Sequence, residues 1–115
     1  MKSFKYALHG FLTAIRSEKN LRFHVAAAVL VTAAGIFLNL ALWEWTAVVC
    51  CMGLVVAMEL LNTAIEVLCN AVTKEYHPLI KNAKDIAAAA VLVSAAAAGV
   101  TGFIIFFPKI FQLLT

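Results

Sequence analysis

Charge is scarce in this chain: Lys, Arg, Asp and Glu make up 13% of 115 residues, against 64% hydrophobic residues. A soluble domain of this length could not hide so much apolar surface, which excludes an ordinary water-soluble globule and points to a lipid-facing protein. The length leaves room for one domain, residues 1–115. Cysteine supplies no framework either. Cys50 and Cys51 are adjacent, Cys69 lies in the same apolar segment, and there is no CxxC pair or Cys/His spacing. Neither zinc nor a disulfide scaffold is therefore expected. No GxxxxGK[ST], GxGxxG or Ser/His/Asp arrangement occurs, so no familiar phosphate loop announces a nucleotide. Nothing points to a nucleic-acid partner, and the net charge of +3 means little until the charges are placed.

More than 20 residues, six of them Lys, Arg or Glu, precede any long apolar run. That is the wrong shape for a secretory signal, and the chain is expected to insert by its own spans. Three segments can cross a bilayer, which takes roughly 20 apolar residues. They cover residues 25–43, 45–72 and 86–107, and Pro108 is expected to end the third because it cannot continue helical hydrogen bonding. Small residues on the first and third permit close helix packing.

The charges then set an orientation. Lys2, Lys5, Arg16, Lys19 and Arg22 precede the first span, and Lys74, Lys81 and Lys84 fall between the second and third. The first loop has only Glu44, between Trp43 and Trp45, and the tail only Lys109. The positive-inside rule puts the N-terminus and second loop in the cytoplasm and the C-terminus outside, with the tryptophans at the outer interface. Residues 3–17 place Phe4, Ala7, Leu8, Phe11, Leu12 and Ile15 at helical spacing, with Lys2, Lys5, His9, Thr13 and Arg16 elsewhere. An amphipathic helix on the cytoplasmic surface is expected there, as an anchor to anionic lipid or a roof over a site.

The second span has a polar stripe. At about 100° per residue, Asn62, Thr63, Glu66 and Asn70 all lie within about 60° of Glu59. Glu59 and Glu66 are then ~10 Å apart along the axis, with Glu66 nearer the cytoplasm. A carboxylate at membrane depth costs roughly 2.5–3.5 kcal/mol on insertion scales. Two on one face, with amides between them, point to a shared polar cleft. Either it is an interhelical hydrogen-bond network without chemistry, or it is an ion, proton or polar-substrate site. Glu18, before the first span, and Asp85, at the start of the third, fall at the same interface. Alone, Asp85 reads as a helix N-terminal cap. Together these carboxylates could hold Mg2+, which takes a few carboxylates plus phosphate oxygens.

GLVVAMELLNTAIEVLCN, followed by EYHPLIKNAKDIAAAAVL, resembles the prokaryotic diacylglycerol kinase family of small integral membrane lipid kinases. The family signature ExxN[ST]AIExxxD is met by Glu59, Asn62, Thr63, Ala64, Ile65 and Glu66. FKYALHG and RSEKNLRFH are similar to the family's surface helix and the segment entering its first span, so the resemblance covers nearly the whole chain. The RSEKNLRFH form, with His24, is more similar to the branch that includes undecaprenol kinases.

The resemblance implies an all-α membrane protein, a surface helix plus three spans, assembled as a homotrimer in the bacterial inner membrane. It implies MgATP-dependent phosphorylation of a lipid's primary hydroxyl. Glu59 would be the catalytic base at the lipid, Asn62 would orient the reacting groups, and Glu18 and Glu66 would bind metal. ATP contacts would fall on Tyr6, Glu18, Glu66, Glu75, Tyr76, His77, Lys84 and Asp85. Diacylglycerol is favoured slightly as acceptor on the family's general label, with undecaprenol close behind. A non-catalytic membrane oligomer or degenerate kinase relative is the rival reading. The signature's closing aspartate is Asn70 here, which keeps an acceptor oxygen but loses charge. An active enzyme with altered metal or nucleotide affinity is expected.

Overall fold

The computed structural model describes residues 2–115, all helix and connecting turns. Four helices follow in order: α1 (Lys2–Ser17), α2 (Lys19–Phe37), α3 (Leu42–Val72) and α4 (Pro78–Leu114). The last three are long and apolar enough to cross a membrane. At about 1.5 Å per residue, α3 and α4 run to roughly 46 and 55 Å, well beyond a ~30 Å hydrocarbon core. α4 packs most extensively against α3, α2 packs against α3 as well, and α1 touches both α2 and α3.

Local chemistry explains most helix ends. α1 and α2 are separated by Glu18 alone, whose extended backbone (φ −114°, ψ 114°) breaks the path. α2 ends because Asn39 takes a left-handed conformation (φ 55°), which asparagine tolerates. The freed carbonyls are then met by the Leu38 N–H on Ala34 and the Leu40 N–H on Gly35. Glu44 Oε1 accepts from the Ala41 N–H at 2.8 Å and so secures the start of α3. α4 starts with Pro78 in its first turn, and His77 Nδ1 accepts from the Leu79 N–H at 3.2 Å.

Two sequence expectations change here. Asp85 does not cap α4, because His77 does; Asp85 sits two turns in and pairs with Lys81 at 2.7 Å. Pro108 does not stop α4, which continues to Leu114. Membrane helices tolerate such prolines when neighbours hold the chain beyond them. Lys109 Nζ reaches Glu44 Oε1 at 3.0 Å, and Phe107 stacks between Phe103 and Phe111.

At the end of the bundle away from the polar stripe, Leu40, Val48 and Ile105 form a buried apolar cluster flanked by Trp45 and Phe106. Gly35 lets the Trp45 ring lie directly on α2: a Cβ there would come within 2.7 Å of Trp45 Cη2. Gly35→Ala is expected to destabilise the fold by about 1–3 kcal/mol, the usual effect of overpacking. Thermal unfolding in detergent would show it as a lowered midpoint, and an unchanged midpoint would refute the close contact.

Candidate active site

The buried positions of α3 explain why its polar stripe survives in a membrane. Glu44, Val48, Val55, Glu59, Asn62, Thr63 and Cys69 are buried, at steps that keep to one helix face. That face is apolar through Val48 and Val55 and polar from Glu59 onward. Glu59 is only 2% exposed, Asn62 and Thr63 are also buried, Glu66 is half-buried and Asn70 is exposed. The stripe is therefore turned inward against the other helices, and it opens gradually toward the end of α3.

Among the described residues, a close polar neighbour of Glu59 from another helix is His24 of α2, whose Nε2 lies 3.8 Å from Glu59 Oε2. Glu18 and Glu66 are close enough for their charges to act on it, and Asn62 is its polar neighbour one turn along. The Thr63 hydroxyl is spent locally, donating to the Glu59 carbonyl at 3.0 Å. Asn62 Oδ1 differs: it is buried and has no hydrogen-bond partner among the described residues. An orphaned acceptor of this kind costs roughly 1–3 kcal/mol, which invites a donor from outside the chain.

Further along the stripe, Asn70 Oδ1 accepts from Lys84 Nζ at 2.7 Å, tying the end of α3 to α4. Substitution of the signature's aspartate thus leaves an oxygen that holds this lysine. Lys84 and Asp85 flank the same junction, but Asp85 points its carboxylate to Lys81. Tyr6 on α1 and Tyr76 between α3 and α4 are largely exposed, and so are Glu75 and His77. None of these four makes a side-chain hydrogen bond or ion pair to Glu59, Glu18 or Glu66 among the described residues.

The chemistry of the acidic groups is compatible with a magnesium ion whose shell is completed by phosphate oxygens and water. No three His, Cys, Asp or Glu side chains among the described residues come close enough to hold a metal alone. Mg2+ does not need such a cage, since it binds through one or two carboxylates plus phosphates and water. Glu18 supplies a carboxylate that caps no backbone group of α2. Glu66 is half-buried on the same stripe as Glu59.

Two apolar hollows adjoin the stripe and His24. One, of about 680 Å³, lies between α1 and α3 and is lined by Gly10, Ala14, Leu60, Thr63, Ala64 and Leu68. The other, of about 230 Å³, lies among α2, α3 and α4 and has His24 in its wall. Sequence reading used His24 only as a mark of one branch of relatives and missed its approach to Glu59. The signal was its place near the start of α2, the one imidazole on that helix that could face the stripe.

A buried carboxylate and amide with flanking acids thus lie within a bundle of helices long and apolar enough to cross a membrane. The sequence matches the prokaryotic diacylglycerol kinase family over residues 5–106, and the chain belongs to that family. It is 42% identical over 109 residues to the undecaprenol kinase of Bacillus subtilis (strain 168), covering 95% of this chain and 89% of that one. It is 37% identical over 113 residues to the diacylglycerol kinase of Synechocystis sp., covering 97% of this chain and 65% of the relative. The diacylglycerol kinase of Pseudomonas aeruginosa is 38% identical over 89 residues, covering 77% of this chain and 72% of the relative. The chain is thus a multi-pass membrane protein and a lipid kinase, and both acceptors expected from the sequence are consistent with the family.

Proposed function

We propose that the chain transfers the γ-phosphoryl group of ATP to the primary hydroxyl of a membrane lipid, with Glu59 as the general base. The observation that carries this reading is the near-complete burial of Glu59 in a spanning helix, flanked by Glu18, Glu66 and the orphaned Asn62 acceptor. An ionised side chain in that position is costly and is kept where it serves function.

In the proposed reaction the lipid oxygen bonds to the γ-phosphorus, the bond from that phosphorus to the β–γ bridging oxygen breaks, and ADP leaves. Glu59 receives the hydroxyl proton, and Asn62 orients the reacting groups through its free Oδ1. Mg2+ would be held by Glu18 and Glu66, and when bound it neutralises charge on the phosphates, which phosphoryl transfer requires. Tyr6, Glu75, Tyr76, His77, Lys84 and Asp85 would contact ATP, with Lys84 presented by Asn70. The whole of residues 1–115 forms one domain, working as a homotrimer in the bacterial inner membrane with its N-terminus cytoplasmic and C-terminus outside. The Lys and Arg distribution supports that orientation.

Undecaprenol is placed first as acceptor, because the relative of that name shares 42% identity along almost the full length of both chains. Diacylglycerol is the second reading, supported by the family description and by the names of the other relatives. The test is phosphate transfer by purified protein with MgATP and each lipid in mixed micelles. Transfer to neither lipid by a folded protein would end the kinase reading, and the ratio of the two rates decides the acceptor.

The Lys84 contact gives a separate expectation. Asn70→Ala is expected to raise the KM for ATP about two- to fivefold with kcat nearly unchanged, as suits an exposed contact of under ~1 kcal/mol. An unaltered KM would show that Asn70 does not present Lys84 to the nucleotide.

A further inference from the structure

Beside the base stands a polar group with no part in the phosphoryl transfer so far: the imidazole of His24. It is 20% exposed, its Nε2 stands 3.8 Å from Glu59 Oε2, and its ring meets Phe23 edge-on. That separation is too long for a direct hydrogen bond. It suits one intervening oxygen, which at about 2.8 Å from each atom makes two ordinary hydrogen bonds.

The surroundings say what kind of molecule could bring that oxygen. His24 heads the 230 Å³ hollow whose other walls include Ala27, Val31, Met52, Val55 and Ala98. A second hollow of about 110 Å³ shares Val31, Met52 and Ala98 and continues away from Glu59 toward Phe106. Among the described residues, the imidazole is the only polar side chain lining the first of them. A narrow, largely apolar path headed by one imidazole, with the Glu59 carboxylate 3.8 Å from that imidazole, matches a hydrocarbon chain ending in one hydroxyl. Leu21, fully buried one turn before His24, holds this part of α2 in place.

We propose that His24 and Glu59 form a two-point clamp on the acceptor alcohol, with the lipid's first carbons in the hollow between α2, α3 and α4. The His24 Nε2–H donates to the hydroxyl oxygen, and the hydroxyl donates to Glu59 Oε2. During transfer the oxygen bonds to the γ-phosphorus, its proton passes to the Glu59 carboxylate, and the electron pair of the broken bond leaves on ADP. His24 keeps its hydrogen throughout and holds the oxygen's lone pair toward the phosphate. The clamp specifies how the acceptor sits in the lipid-kinase reading and rests on it for the chemistry, but alcohol binding can be read separately.

Two substitutions of similar bulk separate the clamp from mere packing. His24→Phe is expected to lower kcat at least tenfold with the KM for MgATP unchanged. His24→Gln, which retains a donor, is expected to stay within about threefold of the unsubstituted protein. Imidazole ¹⁵N spectra of the full chain in micelles, without ATP, supply the second measurement. Farnesol is expected to shift the His24 signals, assigned by their loss in His24→Phe, and farnesene, which lacks the hydroxyl, is not. Undiminished turnover in His24→Phe, a His24→Gln enzyme as slow as His24→Phe, or His24 signals indifferent to farnesol would each overturn the clamp. A farnesol response in a protein that phosphorylates neither lipid would keep the clamp and remove the kinase reading.

Discussion

Glu59→Gln is expected to reduce lipid phosphorylation by roughly 10²–10⁴-fold, the range that a positioned general base contributes. Glutamine preserves the volume and an acceptor oxygen but cannot take the hydroxyl's proton. The side chain is 2% exposed within α3, so no solvent group stands ready to replace it. A neutral amide is also cheaper than a carboxylate at that depth, so the variant should fold and assemble at least as well. MgATP binding should survive largely intact, because Glu18, Glu66 and Lys84 remain. The decisive comparison sets kcat beside nucleotide affinity from equilibrium binding. Normal turnover would exclude Glu59 as the base, whereas lost turnover together with lost ATP binding would move it to the nucleotide site.

Glu66→Gln should show the complementary pattern. Its carboxylate is half-buried on the same stripe, about two turns from Glu59, and has the electrostatic reach to be felt there. Without that charge, kcat/KM for MgATP is expected to fall at least tenfold, a loss of roughly 1.4 kcal/mol. Raising the free Mg2+ concentration should recover part of the rate, which no concentration should do for Glu59→Gln. Activity titrated against Mg2+ at fixed ATP checks this, and an identical Mg2+ curve for variant and parent would remove Glu66 from the metal site.

The fate of particular residues shows what could be read in advance. The stripe of Glu59, Asn62, Thr63, Glu66 and Asn70 was legible because helical period is a property of neighbouring residues. Its inward burial at Glu59, Asn62 and Thr63 agrees with that reading. The four helices were legible for the same reason, since long apolar runs and one amphipathic segment declare themselves locally. Asp85 misled because acids often cap helices, yet residues 78–84 extend α4 ahead of it and His77 takes the cap. Pro108 misled because its local cost is real, while the Glu44–Lys109 pair that holds the helix beyond it lies some 65 positions apart in sequence.

The sequence by itself determined that this is a helical membrane protein, how many apolar spans it has, and which face of α3 carries the acids. Those properties follow from hydropathy and periodicity over short windows. Only the tertiary structure decided that His24 meets Glu59, that Asn70 holds Lys84, and that Asp85 turns away to Lys81. Each of the first two joins different helices, and the third depends on where α4 begins. Such contacts are set by how the helices lean on one another, and no local pattern encodes that distance.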